Sequence, residues 1–134
     1  MGLNGSSMQG RAPLVLVVED DADCRDTIGD TLRDTGYDVL EATDGEHAIR
    51  LLVDDDTPQV SLILIDLLLP GMSGQELYAL LKSDSRLARI PVILTSAGQP
   101  NGAEIDVETV WLAKPFDATR LLTLAKERCA VAKW

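Results

Sequence analysis

Four short apolar runs constrain this chain more than any other feature: LVLVV at 14–18, SLILI at 61–65, PVILT at 91–95 and VWLA at 110–113. Each is continuous rather than alternating, the pattern of a strand buried on both faces and therefore of a parallel sheet. Between them, apolar residues recur at helical spacing. Cys24, Ile28 and Leu32 repeat until Gly36; Ala48, Ile49, Leu51 and Leu52 form a second stripe, ended by Asp54, Asp55, Asp56 and Pro58. Leu77, Leu80 and Leu81 predict a third helix from about Gly74 to Ser83, and Ala118, Leu121, Leu122, Ala125 and Cys129 share one face of a closing helix. Tyr37 to Ala42 reads as the second strand in order. Five strands alternating with helices predict an α/β fold, a doubly wound five-stranded parallel sheet with right-handed crossovers on both faces. Gly98, Pro100 and Gly102 interrupt the stretch between Ser96 and Glu108, so the fourth helix is expected to be short or irregular.

Composition narrows what such a fold can do. The length of 134 residues suits one domain, and 46% apolar residues are enough for a core. Twelve Lys and Arg against 22 Asp and Glu leave a net charge of -10, which repels nucleic-acid phosphate and anionic lipid. Aromatic residues are only 4%, too few for a base-stacking face. No direct nucleic-acid binding and no membrane association are expected, since no apolar run approaches the ~20 residues of a membrane span. Cys24 and Cys129 are too few for a disulfide framework, and a reducing, cytoplasmic setting is expected. They should be free thiols. Met1 to Ala12, rich in Gly and Ser, reads as a flexible leader of the sort cloning leaves behind; 13–131 form the domain and 132–134 a tail.

In open parallel sheets, ligands bind beyond the carboxyl ends of the strands. There the polar residues gather: Glu19, Asp20 and Asp21 after strand one, Asp66 after strand three, Thr95 and Ser96 after strand four, Lys114 after strand five. Crowded carboxylates are relieved by a raised pKa or a bound cation, and an all-oxygen set suits Mg²⁺. A lysine and a hydroxyl opposite would complete a cradle for a phosphoryl group. Taken singly, Asp21 reads as a solvated loop acid and Thr95 as a packing residue. Lys114 alone would be a surface cation, but the Pro115 that follows permits a cis bond. His47 lacks a second ligand at suitable spacing and reads as an exposed helix residue. Trp111 is expected to be partly buried.

The run Val18-Glu19-Asp20-Asp21 followed by Arg25, Asp66 with Leu69-Pro70-Gly71-Met72-Ser73-Gly74, Ser96-Ala97, and Lys114-Pro115-Phe116 together resemble the receiver domain of bacterial two-component response regulators. The likeness covers roughly Pro13 to Val131, and the 30-residue interval from Asp66 to Ser96 fits the family. It implies a flavodoxin-like sheet with strand order 2-1-3-4-5. It makes Asp66 the phospho-acceptor, supplied by a sensor histidine kinase or phosphotransfer protein, and assigns Lys114 and Ser96 to the same chemistry. It implies Mg²⁺ held by Glu19, Asp20, Asp66 and the Leu68 backbone carbonyl, with Ser96 and Trp111 as the switch pair and Arg25 in the place of a common arginine. The 18 residues from Ser96 to Lys114 are fewer than the family usually has, so the resemblance allows a weak homodimer without requiring one.

On this reading the chain is a phosphorylatable switch and no enzyme beyond catalysing its own phosphoryl uptake and hydrolysis. The alternative is a receiver-like interaction module acting without phosphorylation, against which the full set of Glu19, Asp20, Asp66, Ser96 and Lys114 argues. A phosphohydrolase would need a second acid two residues after its nucleophile, where this chain has Leu68. No P-loop signature is present.

Overall fold

The computed structural model describes residues 12–96 and 110–132, with Val110, Trp111 and 130–132 described by backbone alone. Its strands are β1 (Leu14–Val18), β2 (Asp38–Ala42), β3 (Leu62–Asp66), β4 (Val92–Ser96) and β5 (Val110–Ala113). The described helices are α1 (Ala22–Asp34), α2 (Gly45–Val53), α3 (Gly74–Ser83) and α4 (Ala118–Ala132). The strands form one sheet in the order β2-β1-β3-β4-β5, every pair parallel. The stretch 97–109, where the sequence predicts a short or irregular helix, lies outside the described residues, as does 1–11 of the expected leader.

The continuous apolar runs work because a strand's side chains alternate between faces. Leu14, Leu16 and Val18 of β1 join Ile63, Ile65, Val92 and Leu94 in one core, which Ala48 of α2 and Leu77 and Leu81 of α3 close. Val15 and Val17 point the other way, with Leu62, Leu64, Ile93 and Leu112, against Ile28 and Leu32 of α1 and Leu121, Leu124 and Ala125 of α4. Two dry layers thus hold the sheet, and its carboxyl edge is left for polar residues. Among the described residues no helix is long and apolar enough to cross a membrane.

Local signals place the helices at that edge. The Asp21 carboxylate accepts from Cys24 N at 2.8 Å and so caps α1, which makes it more than a solvated acid. Asp44 caps α2 through His47 N, and Ser73 and Glu76 form a reciprocal capping box on α3. His47 corrects the expectation of an exposed residue. It is half-buried, because its Nδ1 turns back to accept from Thr43 N at 3.3 Å. Gly74 is required where it stands: a Cβ there would lie 2.6 Å from Leu67 Cα. That close approach lets α3 begin directly against the end of β3. Both cysteines are free, Cys24 half-buried and Cys129 buried, as expected.

Candidate functional site

The parallel register brings the strand ends level. Val18 pairs with Ile65, Asp66 with Thr95 and Ser96 with Ala113, so the residues that follow Val18 and Ala113 converge on Asp66. Glu19, Asp66, Thr95 and Ser96 are the buried polar residues of the described core. Lys114 reaches across the edge, its Nζ donating to Glu19 Oε1 at 2.6 Å and to Asp66 Oδ2 at 3.2 Å. Its backbone N–H donates to Ser96 O at 2.8 Å, which ties the lysine to the end of β4. The Lys114-Pro115 peptide is cis.

The remaining carboxylate oxygens face backbone. Leu68 N donates to Asp66 Oδ1 at 3.0 Å, and Asp21 N to Glu19 Oε2 at 3.1 Å. Leu67 N donates to Thr95 O at 2.9 Å, which keeps the chain in sheet register one residue past Asp66. Glu19 and Asp66, bridged by one lysine, are pushed apart electrostatically. Burial is the largest influence on both and raises both. At Asp66 it prevails, aided by the neighbouring Glu19 charge, so that carboxyl lies above the ordinary range despite the Leu68 N–H and Lys114. At Glu19 the hydrogen bonds with Lys114, with the Asp66 side chain, with Asp21 N–H and with Cys24 overcome burial, and the carboxyl lies below its usual value. Burial alone would lower Lys114; the hydrogen bond to Glu19 and attraction to both carboxylates raise it instead. Lys114 therefore stays an ammonium.

The edge thus joins Glu19, Asp66 and Lys114 directly and Ser96 through backbone. Asp20 is exposed on the turn beside them, and Leu68, 70% exposed, sits two residues beyond Asp66. Trp111 pairs with Leu94 in the sheet, while its side chain lies outside the described residues. Thr95 is buried, as its reading as a packing residue requires. Two features were not read from the sequence. The first is a cavity of about 510 Å³ beside Lys114, walled by Cys24, Thr27 and Ile28 of α1 and by Phe116 and Leu121. Its walls come from chain segments far apart, so no local pattern announces it. The second is an ion-pair relay from Arg25 to Glu41 to Arg33. Charges on a half-exposed strand such as β2 look like ordinary solvated residues until the register is known.

Chemically, the carboxylates and backbone carbonyls of the described edge offer oxygen donors, with more negative charge than Lys114 balances. Among the described residues, no three or more His, Cys, Asp or Glu side chains form a ready-made metal cage. Mg²⁺ does not need one, because it takes one or two carboxylates and keeps several waters. The donor set fits that ion.

Comparison with known proteins agrees with this geometry. The response regulator receiver domain family matches residues 15–126. The phosphate regulon transcriptional regulatory protein PhoB of Pseudomonas aeruginosa is 36% identical over 117 residues, spanning 84% of this chain and 49% of PhoB. The rice two-component response regulator ORR5 is 38% identical over 89 residues, 66% of this chain and 65% of ORR5. The chain spans about half the length of PhoB and of the DNA-binding dual master transcriptional regulator RpaA of Synechocystis, to which it is 36% identical over 115 residues. Among solved structures, the receiver domain of a signal transduction histidine kinase from Syntrophus aciditrophicus superposes with a TM-score of 0.79 at 27% identity, over 89% of this chain and 91% of that one. Chemotaxis protein CheY4 of Vibrio cholerae gives 0.76 at 26% identity, over 87% and 98%. With a matched family spanning most of its length and the same five-stranded order, the chain belongs to the response regulator receiver domains.

Proposed function

We propose that this receiver domain takes a phosphoryl group onto Asp66 from a sensor histidine kinase or phosphotransfer protein. The observation that carries the reading is a buried carboxylate facing a lysine, one oxygen held by Leu68 N–H and the other 3.2 Å from Lys114 Nζ. Asp66 attacks the phosphorus of a phosphohistidine. A P–O bond forms as the P–N bond breaks, and the imidazole nitrogen keeps the electron pair and takes up a proton. Burial supports the attack, since a carboxylate with a raised pKa is a stronger nucleophile, and Lys114 supplies positive charge for the transferred oxygens.

Glu19, Asp20, Asp66 and the Leu68 carbonyl are the groups that would hold Mg²⁺. When bound, the ion offsets the charge of the acids and of the incoming phosphoryl group. Ser96, buried at the end of β4, would respond to the new charge, and with Trp111 it forms the proposed switch. Leu68, exposed where a hydrolase would keep an acid, gives no proton donor for a leaving group. This supports reading the chain as a switch that catalyses its own phosphoryl uptake and loss. PhoB is named a transcriptional regulatory protein, but a net charge of -10 sets this chain itself against binding nucleic acid. We place it in the cytoplasm, where histidine kinases present their phosphohistidine.

Incubation with acetyl phosphate and Mg²⁺, followed by intact-mass spectrometry, tests the reading. One hydroxylamine-labile phosphoryl adduct is expected on the wild type and none on Asp66→Asn. The same adduct on the variant would overturn the assignment, and no adduct on either would favour an interaction module working without phosphorylation.

A further inference from the structure

The turn that carries Glu19, Asp20 and Asp21 sends three consecutive acids to three different places. Glu19 turns inward to Lys114, Asp21 caps α1, and Asp20 stays exposed. Something must fix the backbone between them. The Glu19 N–H is held by Ala42 O at 3.0 Å, and the Asp21 carbonyl accepts the first helical bond from Arg25 N at 2.9 Å. The carbonyls of Glu19 and Asp20 lie before the helix begins, and both are met by one side chain: Arg25 Nη1 donates to Glu19 O at 3.0 Å and to Asp20 O at 3.4 Å.

Arg25 is itself held. Its Nε lies 3.6 Å from Glu41 Oε1, while Glu41 Oε2 accepts from Arg33 Nη2 at 3.2 Å. The Arg25 side chain is only 16% exposed, so this is no loose surface pair. Glu41 sits in β2 opposite Val17, and the adjacent Ala42 is the residue that holds Glu19 N–H. One short piece of β2 therefore holds the acidic turn in two ways, directly by the Ala42 carbonyl at Glu19 N–H and, through Glu41, by the α1 guanidinium of Arg25 at the turn's carbonyls.

We infer that Arg25, aimed by Glu41, is a positioning residue: it fixes the turn that presents Glu19 and Asp20 to a divalent cation. The inference rests on the reading of this edge as a cation-assisted phosphoryl site. A planar guanidinium can serve two carbonyls and a carboxylate at once, whereas an ammonium concentrates its donors at one point. Lysine at position 25 would keep the charge and lose the fork.

Mn²⁺ titration followed by electron paramagnetic resonance, on the unphosphorylated full chain, tests this. Groups that orient metal ligands from behind typically contribute 10–100-fold in affinity. Arg25→Ala and Glu41→Gln should each weaken Mn²⁺ binding about tenfold. Arg25→Lys should recover less than half of that loss on a logarithmic scale, and the double variant should bind no more weakly than Arg25→Ala alone. Thermal melts run alongside separate positioning from mere destabilisation. Unchanged Mn²⁺ affinity in a folded Arg25→Ala or Glu41→Gln, or full recovery by Lys, would overturn the inference. Wild type that binds Mn²⁺ but accepts no phosphoryl group would refute the functional reading, while the variants' Mn²⁺ affinities would still decide the role of Arg25. Wild type that binds no Mn²⁺ would overturn both.

Discussion

Asp66 and Glu19 share one lysine, but their carboxyl pKa values are displaced in opposite directions, which gives their stability contributions opposite pH dependences. Asp66 has a raised carboxyl pKa in the folded chain, so its contribution to stability falls as pH rises from the ordinary carboxyl range through its folded value. Glu19 has a lowered one; its contribution is present above the usual 4.5 and is lost as pH falls through the folded value. Without divalent cations, Asp66→Asn should therefore gain stability relative to wild type as pH rises to 7, and Glu19→Gln should lose it. Urea unfolding between pH 3.5 and pH 7 reads both slopes; parallel slopes for the two variants would refute the division. Lys114→Met removes the 2.6 Å partner of Glu19 and should cost about 2 kcal/mol at pH 7 together with phosphoryl uptake. These acids were legible in the sequence because each follows an apolar run that had to be a strand. Which of them faces the lysine was not legible, since that depends on side-chain direction at the sheet edge.

At the scale of elements, the start of α3 separates a structural role from one at the site. Ser73→Ala removes one half of the capping box and should cost about 1 kcal/mol in urea unfolding while leaving phosphoryl uptake within twofold. Gly74→Ala places a Cβ against the Leu67 backbone and must move the end of β3. It should cost about 2 kcal/mol and also slow uptake several-fold, because Asp66 is the preceding neighbour of Leu67. A Gly74→Ala variant with wild-type uptake would show that the close approach matters only for packing. The strands and four of the helices stood out in the sequence, since burial on both faces and helical spacing leave strong local patterns. The sequence reading placed α3 at its observed bounds of Gly74–Ser83. His47 did not stand out. Its bond back to Thr43 depends on the turn between β2 and α2, which spacing alone does not describe.

For the whole molecule, topology does the gathering. A parallel sheet with β3 at its centre, flanked by β1 and β4, places the ends of those three strands within reach of the lysine that follows β5, although Glu19 and Lys114 are 95 residues apart in sequence. The motif set carried the family resemblance because it samples each of those ends in order. The cavity beside Lys114 and the grip of β2 on the acidic turn carried no such mark, as both arise only when distant elements pack. What the fold predicts for the chemistry is a single acceptor. The most direct measurement is a peptide map of the chain phosphorylated with acetyl phosphate and then reduced with borohydride, which converts an aspartyl phosphate to homoserine. Homoserine at position 66 alone is the expected result. Homoserine at Asp20 or Asp21, with Asp66 unmodified, would contradict it.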